Sequence, residues 1–173
     1  MSNFVYVLMG VSGSGKTTVA KELLKRHDIS YIDGDYLHPR SNILKMSSGE
    51  PLNDDDRAPW LKLINNAVFA MQKTNQVSVI ICSALKKKYR DIIRESNQNL
   101  RFLFLNADFD SIYKRLESRV GHFQKPQMLI SQFEALEIPG EDEKDVYFID
   151  ASQNVDGIIE AITDIALKQN ADK

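Results

Sequence analysis

The sequence predicts a single α/β domain in which a five-stranded parallel sheet carries helices on both faces. Strand-like and helix-like segments alternate along the chain, which is typical of a mainly parallel sheet. The first strand and helix flank a G-x-x-x-x-G-K-[ST] motif at residues 10–17. The chain has 173 residues, of which 43% are hydrophobic and 27% charged. Residues 1–173 are therefore expected to form one domain with one core.

Apolar and β-branched runs predict the strands, and amphipathic segments predict the crossover helices. The predicted strands are 4–9, 30–33, 77–82, 101–105 and 146–149. The predicted helices are 16–27, 57–73, 85–95, 109–119, 127–136 and 155–168, with a short helix at 41–46 inside a polar, irregular stretch. Because the carboxyl ends of parallel strands share one edge, the residues that end them, such as Asp33 and Asn106, should line one crevice.

The glycine-rich motif predicts a phosphate-binding loop, or P-loop, for ATP. Its glycines let successive backbone N–H groups curl around an anion, and the following helix start adds unpaired donors. Lys16 should reach the β- and γ-phosphates, and the Thr17 hydroxyl should hold Mg²⁺. The alternative is a Gly/Ser loop that only turns the chain. The predicted nucleotide-binding residues are Gly10, Val11, Ser12, Gly13, Ser14, Gly15, Lys16, Thr17, Thr18, Arg115 and Arg119.

Two acidic residues, Asp33 and Asp35, follow the second strand. In an extended chain they would lie on the same side. We expect Asp33 to support Mg²⁺ through water, because the third strand ends at Cys82-Ser83 without an acidic residue. Asp35 would accept a proton from an attacking hydroxyl. The alternative is an acidic turn built around Gly34.

Basic residues mark a lid and an acceptor site. Arg115 and Arg119 are four residues apart on a predicted helix that leads into a Gly/Pro-bounded loop. This pattern predicts a mobile lid at about 119–128 that closes over the nucleotide; the alternative is a solvated helix face paired with Glu117. Within an acceptor-binding segment at about 34–60 and at the next helix start, cations suit an acidic acceptor. These candidates are His38, Arg40, Arg57, Lys86 and Arg90. Ordinary surface charge is the alternative for each of them, and His38 could equally be a loop histidine with satisfied hydrogen bonds.

Composition argues against several classes of protein. The net charge of −2 gives no basic excess for nucleic acid. The single cysteine, Cys82, excludes an internal disulfide and fits a reducing compartment. No apolar stretch approaches the length of a membrane span, and no signal peptide is evident, so a soluble cytoplasmic protein without nucleic-acid or membrane partners is expected. The D-x-x-G and N-K-x-D patterns of switch GTPases do not occur. A kinase for shikimate or a nucleotide, and a scaffold that only binds nucleotide, remain alternatives.

Several segments in order resemble bacterial gluconokinases. They are Leu8–Thr17, Asp33–Pro39, Met46–Arg57, Cys82–Arg90, Gly121–Phe123 and Gln132–Glu137. The resemblance implies a fold like that of shikimate and nucleoside-monophosphate kinases. It also implies transfer of the γ-phosphate of ATP to the 6-hydroxyl of D-gluconate, giving 6-phospho-D-gluconate and ADP (EC 2.7.1.12), with Mg²⁺, in gluconate catabolism. Members are commonly dimers, so a homodimer is implied.

The residues alone indicate a Mg-ATP phosphotransferase with an acidic, hydroxyl-bearing acceptor, which gluconate fits. The expected catalytic residues are Lys16, Asp33, Asp35 and Arg119. The expected substrate-binding residues are Asp35, His38, Arg57, Lys86, Arg90 and His122. The expected metal-binding residues are Thr17 and, through water, Asp33.

Overall fold

The computed structural model of the protein describes residues 3–118 and 126–167. The strands are β1 (Phe4–Met9), β2 (Ser30–Asp33), β3 (Val77–Ile81), β4 (Leu100–Asn106) and β5 (Val146–Asp150). The helices are α1 (Lys16–Arg26), α2 (Arg40–Ser47), α3 (Asp54–Thr74), α4 (Lys87–Arg94), α5 (Phe109–Glu117), α6 (Pro126–Ala135) and α7 (Val155–Ile162). A 3-10 turn, Gly34–Leu37, follows β2, and a π-helical turn, Thr163–Leu167, continues α7.

The sheet is parallel throughout, with strand order β2-β3-β1-β4-β5. The predicted five-stranded parallel sheet is confirmed. β1 lies at the centre, where Val7 pairs with Ile80 on one side and with Phe102 on the other. This central position explains why β1 reads as an unbroken apolar run rather than an alternating one.

Successive residues of β1 face opposite layers of helices. Val5 and Val7 pack in a cluster with residues of α3 and α4, whereas Tyr6 and Leu8 pack in a cluster with residues of α1 and α7. The sheet is therefore covered on both faces, and its carboxyl edge remains as the place where a ligand can bind.

The observed element bounds differ from the predicted ones where local backbone geometry decides them. Helix α3 begins three residues earlier than expected, at Asp54, because Asn53 and Asp56 form a reciprocal capping box. Helix α4 begins two residues later, at Lys87, because Ala84 has a φ of +47° and Lys86 is extended. Of the helices in the described ranges, none is long and apolar enough to cross a membrane.

Candidate active site

The P-loop connects the central strand β1 to helix α1. Gly15 caps α1 with a φ of +102°, a conformation that favours glycine. Gly13, at φ +82°, lies so close to α5 that a Cβ atom there would be 3.0 Å from the Leu116 side chain. Both positions leave the backbone N–H groups of the loop at the start of a helix, which is a ready site for an anion. Thr17 and Thr18, in the first turn of α1, are exposed.

Lys16 folds back on this loop. Its Nζ donates hydrogen bonds to the carbonyl oxygens of Gly10, at 2.7 Å, and Val11, at 3.0 Å. Burial lowers the pKa of Lys16 to about 8, although the nearby charges of Asp35 and Asp33 oppose that shift. Lys16 is thus held at the loop by two neutral carbonyls, and its ammonium has a third N–H group that can donate to a phosphate.

Asp33 and Asp35 approach Lys16 through a turn rather than through an extended chain, which corrects the predicted geometry. The Asp33 carboxylate accepts a hydrogen bond from the Asp35 backbone N–H at 3.0 Å and caps the 3-10 turn. Gly34 is required there because a Cβ atom would lie 2.2 Å from the carbonyl oxygen of Ile81. The Trp60 indole donates to the Gly34 carbonyl at 2.8 Å and fixes the turn against α3.

Asp35 is solvent-exposed and lies in the 3-10 turn that follows β2. Crowding by protein atoms, and then the charge of Asp33, raise the pKa of Asp35, while His38 and Lys16 partly offset the shift. A carboxylate with a raised pKa is a better proton acceptor than an ordinary aspartate.

His38 lies next to this pair with a defined protonation pattern. Its ring stacks on Trp60 at a centroid distance of 4.1 Å, and its Nδ1 is 3.2 Å from the Asn42 amide nitrogen. That amide nitrogen also donates to the Asp56 carbonyl, so Nδ1 accepts and the proton is on Nε2. Burial, with the charge of Arg57, lowers the pKa of His38, while the charge of Asp35 partly offsets that shift.

Cations surround one aromatic ring at the starts of α3 and α4. The side chains of Arg57, Lys86 and Lys88 lie 5.7, 5.6 and 6.0 Å from the centre of the Tyr89 ring. Asp54 accepts hydrogen bonds from Tyr89 and Lys88 and lies 3.5 Å from Lys86. The predicted Arg57 and Lys86 therefore do meet in space. Tyr89 and Asp54 were not predicted, although Asp54 belongs to the conspicuous aspartate run at 54–56.

Arg90 does not belong to the acceptor surface, and that prediction is wrong. Its side chain is fully buried, and all five of its N–H groups are occupied. It donates to both carboxylate oxygens of Glu143 and to the carbonyl oxygens of Ala84, Leu85 and Glu137. With no donor left for a substrate, Arg90 instead holds the loop that precedes α4.

A cavity of about 310 Å³ adjoins the P-loop on the side of β5. Its lining residues include Gly13, Thr18, Arg115, Gln153 and Asn154. Arg115 donates a hydrogen bond to the Ala151 carbonyl and shares the lining of this cavity with Gly13, so this predicted arginine does lie beside the P-loop. Gln153 and Asn154 were not predicted; their place just after the last strand was the available signal.

Some predicted features are not tested by the geometry. Arg119, His122 and most of the predicted lid at 119–128 lie outside the described residues, since residues 119–125 are not among them. Arg40 begins α2 and is exposed. Within the described ranges, no group of three or more His, Cys, Asp or Glu side chains could hold a metal ion. Thr17 and Asp33 supply oxygen donors, the type that Mg²⁺ prefers, and phosphate oxygens can complete such a set.

Comparisons with known proteins agree with this site. A family model described as an AAA domain matches residues 7–161. The chain is 57% identical over 164 residues to the thermoresistant gluconokinase of Escherichia coli K12. The aligned residues cover 95% of this chain and 94% of that protein. It is 44% identical over 172 residues to the thermosensitive gluconokinase of the same organism, with coverage of 98% and 92%.

Solved structures agree with these relatives. A gluconokinase from Sinorhizobium meliloti 1021 superimposes with a TM-score of 0.82 at 37% identity, covering 96% of this chain and 95% of that chain. A shikimate kinase from Bacteroides thetaiotaomicron, at 16% identity and a TM-score of 0.63, shares the fold and covers 94% of this chain and 97% of its own. With its P-loop, its paired aspartates and these relatives, the chain belongs to the gluconokinase family of P-loop kinases.

Proposed function

We propose that the protein is a gluconokinase, which transfers the γ-phosphate of ATP to the 6-hydroxyl of D-gluconate and yields 6-phospho-D-gluconate and ADP. The observation that carries this proposal is the meeting of Lys16 with Asp33 and Asp35 in one crevice, where both carboxylates act on the pKa of the lysine. A phosphate-binding ammonium beside a proton-accepting carboxylate is the arrangement that phosphoryl transfer to an alcohol needs.

In the proposed reaction the backbone N–H groups of residues 13–17 hold the phosphates. Lys16 keeps its bond to the Val11 carbonyl and directs its remaining N–H groups to phosphate oxygens. The acceptor hydroxyl forms a bond to the γ-phosphorus while the bond from that phosphorus to the β–γ bridging oxygen breaks, and ADP leaves. Asp35 takes the proton of the hydroxyl and later releases it to water. Mg²⁺, held by Thr17 with Asp33 behind it, would neutralise charge on the phosphates.

Acceptor recognition is proposed to divide between two groups of side chains. His38, whose Nε2 carries the proton, would donate to a hydroxyl near Asp35. Arg57 and Lys86, beside the Tyr89 ring, would bind the carboxylate end, because a guanidinium can hold a carboxylate through two parallel hydrogen bonds. A sugar acid with a carboxylate at one end and a primary alcohol at the other suits both.

The test is a coupled assay of ADP formation with ATP and a panel of acceptors: D-gluconate, shikimate, a neutral hexose and a nucleoside monophosphate. We expect ADP formation that depends on gluconate, with phosphorus NMR placing the new ester at the terminal hydroxyl. Lys16→Ala should abolish it. Preferred turnover of shikimate or of the nucleotide would contradict the proposal.

The homodimeric state and cytoplasmic location are proposed from the resemblance to gluconokinases. Light scattering of the purified protein measures the first, and cell fractionation measures the second. A monomer over the working concentration range would contradict the dimer.

A further inference from the structure

The P-loop is hydrogen-bonded to helix α6, which lies about 120 residues further along the chain. The backbone N–H of Ser12 donates to Oε1 of Gln132, on α6, at 3.1 Å, and the Ser12 hydroxyl lies 3.4 Å from the same oxygen. Because a backbone N–H can only donate, the oxygen of the carboxamide must be the atom that faces Ser12.

The bond falls on a peptide unit that also touches the phosphate-binding lysine. Ser12 N–H and the Val11 carbonyl belong to the same planar peptide, and in a trans peptide these two groups point in opposite directions. The Val11 carbonyl accepts from Lys16 Nζ at 3.0 Å and from the Ser14 N–H at 3.2 Å. Gln132 and Lys16 are therefore hydrogen-bonded to opposite edges of one rigid peptide unit.

Packing fixes the position of this peptide, but hydrogen bonds are needed to fix its orientation. Val11 is 2% exposed and packs in one cluster with Leu129 of α6 and Leu85. The side chain of Val11 resists translation of the loop, but rotation of the following peptide is opposed chiefly by hydrogen bonds at its two ends. Ser12 is one of the predicted nucleotide-binding residues, but its N–H donates to Gln132, and the phosphates are proposed to bind the N–H groups of residues 13–17. Nucleotide binding therefore need not displace Gln132.

We infer that Gln132 is a positioning residue for phosphoryl transfer: by holding the Ser12 N–H, it fixes the Val11–Ser12 peptide and, through the Val11 carbonyl, the place of the Lys16 ammonium. The inference rests on the proposed kinase function. Loss of the Gln132–Ser12 bond would let the peptide rotate and move the Val11 carbonyl away from Lys16. The ammonium would then be less well placed to bind the phosphates.

The experiment compares Gln132→Met, which keeps length and shape but removes the acceptor, with Ser131→Ala as the matched control. Ser131 is the exposed neighbour on α6, and its hydroxyl donates only within the helix, to the Met128 carbonyl. We expect Gln132→Met to lower kcat about tenfold and to weaken ATP binding severalfold, with KM for gluconate within about twofold and Tm unchanged. Ser131→Ala should match the wild type. Wild-type kcat in Gln132→Met would overturn the inference.

A second pair of variants decides the question if Gln132→Met does not fold. Gln132→Glu keeps an acceptor oxygen at the same reach, whereas Gln132→Asn is one methylene too short. We expect Gln132→Glu to have a higher kcat than Gln132→Asn. A kcat of Gln132→Glu that is equal to or lower than that of Gln132→Asn would overturn the inference. ATP affinity measured by calorimetry separates this test from the proposed function. If the wild type binds ATP but makes no phosphogluconate, the proposed function fails while the effect of Gln132→Met on ATP affinity still decides the role of Gln132.

Discussion

Asp35 carries the proton chemistry in the proposed reaction, and its surroundings suit that task. Crowding by protein atoms and the neighbouring Asp33 raise its pKa, while His38 and Lys16 partly offset that rise. Its position depends on the turn that Gly34 allows, so the side chain stands on a well-fixed backbone.

Replacing Asp35 by Asn removes the proton acceptor while keeping the side chain's size. We expect kcat to fall about 100- to 10,000-fold, the range for loss of a general base, with the ATP dissociation constant nearly unchanged. Steady-state kinetics and calorimetry measure the two quantities. Asp55→Asn, in the first turn of α3, is a matched control for the chemical change. Undiminished kcat would remove the proposed role of Asp35.

Lys16 should set the alkaline limit of activity. With a pKa of about 8 in the free enzyme, its ammonium is charged below that pH and loses its proton as pH rises through it. The kcat/KM for ATP should therefore decline above about pH 8, because kcat/KM reports groups of the free enzyme. A pH profile in buffers of constant ionic strength measures this. A profile that stays level to pH 10 would show that Lys16 titrates elsewhere.

At the scale of elements, helix starts bring the acceptor-binding cations together. The capping box of Asn53 and Asp56 begins α3 one turn before Arg57, and the extended Lys86 immediately precedes α4. The same geometry brings in Asp54, whose carboxylate balances part of the charge in the described structure. An incoming carboxylate would meet an excess of positive charge there.

Arg57→Ala should chiefly weaken binding of the acceptor. A hydrogen bond to a charged group contributes about 1.5 to 3 kcal/mol, so KM for gluconate should rise roughly 10- to 100-fold while KM for ATP changes little. Lys62→Ala, at an exposed position on the same helix, controls for loss of a surface charge. A rise confined to KM for ATP would instead place Arg57 on the nucleotide side of the crevice.

The loop before α4 depends on the buried pair of Arg90 and Glu143. Burial by itself would raise the pKa of Glu143, but hydrogen bonds from Arg90 and Arg94 outweigh it and lower the pKa to about 2. A lowered pKa means that the pair stabilises the fold above the ordinary glutamate range and that this contribution is lost as pH falls towards 2.

Glu143→Gln should destabilise the protein by about 3 to 5 kcal/mol, because it leaves the Arg90 charge buried without its counter-ion. Urea unfolding at pH 7 measures the change, with Glu141→Gln as the exposed control. A loss below about 1 kcal/mol would mean that the carbonyl partners of Arg90 alone support its charge.

For the whole molecule, local patterns were enough to predict the sheet, the P-loop and the position of Asp33, because periodicity and strand ends are written in short segments. Tertiary contacts decided the rest. The turn at Gly34 depends on close approach to Ile81, and Arg90 is buried by a carboxylate 53 residues away. Neither contact leaves a local signal, and the charge of Arg90 suggested a surface position.

The strand order also divides the crevice into two halves. The P-loop follows the central strand, the cavity with Arg115 and Gln153 lies towards β5, and the turn with Asp35 and His38 follows the edge strand β2. Nucleotide and acceptor can thus approach from opposite sides and meet at Lys16.

The single tryptophan reports on this division, because Trp60 lies in the acceptor half, where it stacks on His38 and donates to Gly34. Gluconate binding should change its fluorescence, since both partners of the indole move or change their hydrogen bonds when an acceptor contacts them. ADP alone, bound towards β5, should change it much less. Titrations of the wild type with each ligand measure this, and His38→Gln, which removes the stacked ring, should reduce the gluconate signal. A larger response to ADP than to gluconate would contradict the assignment of the two halves.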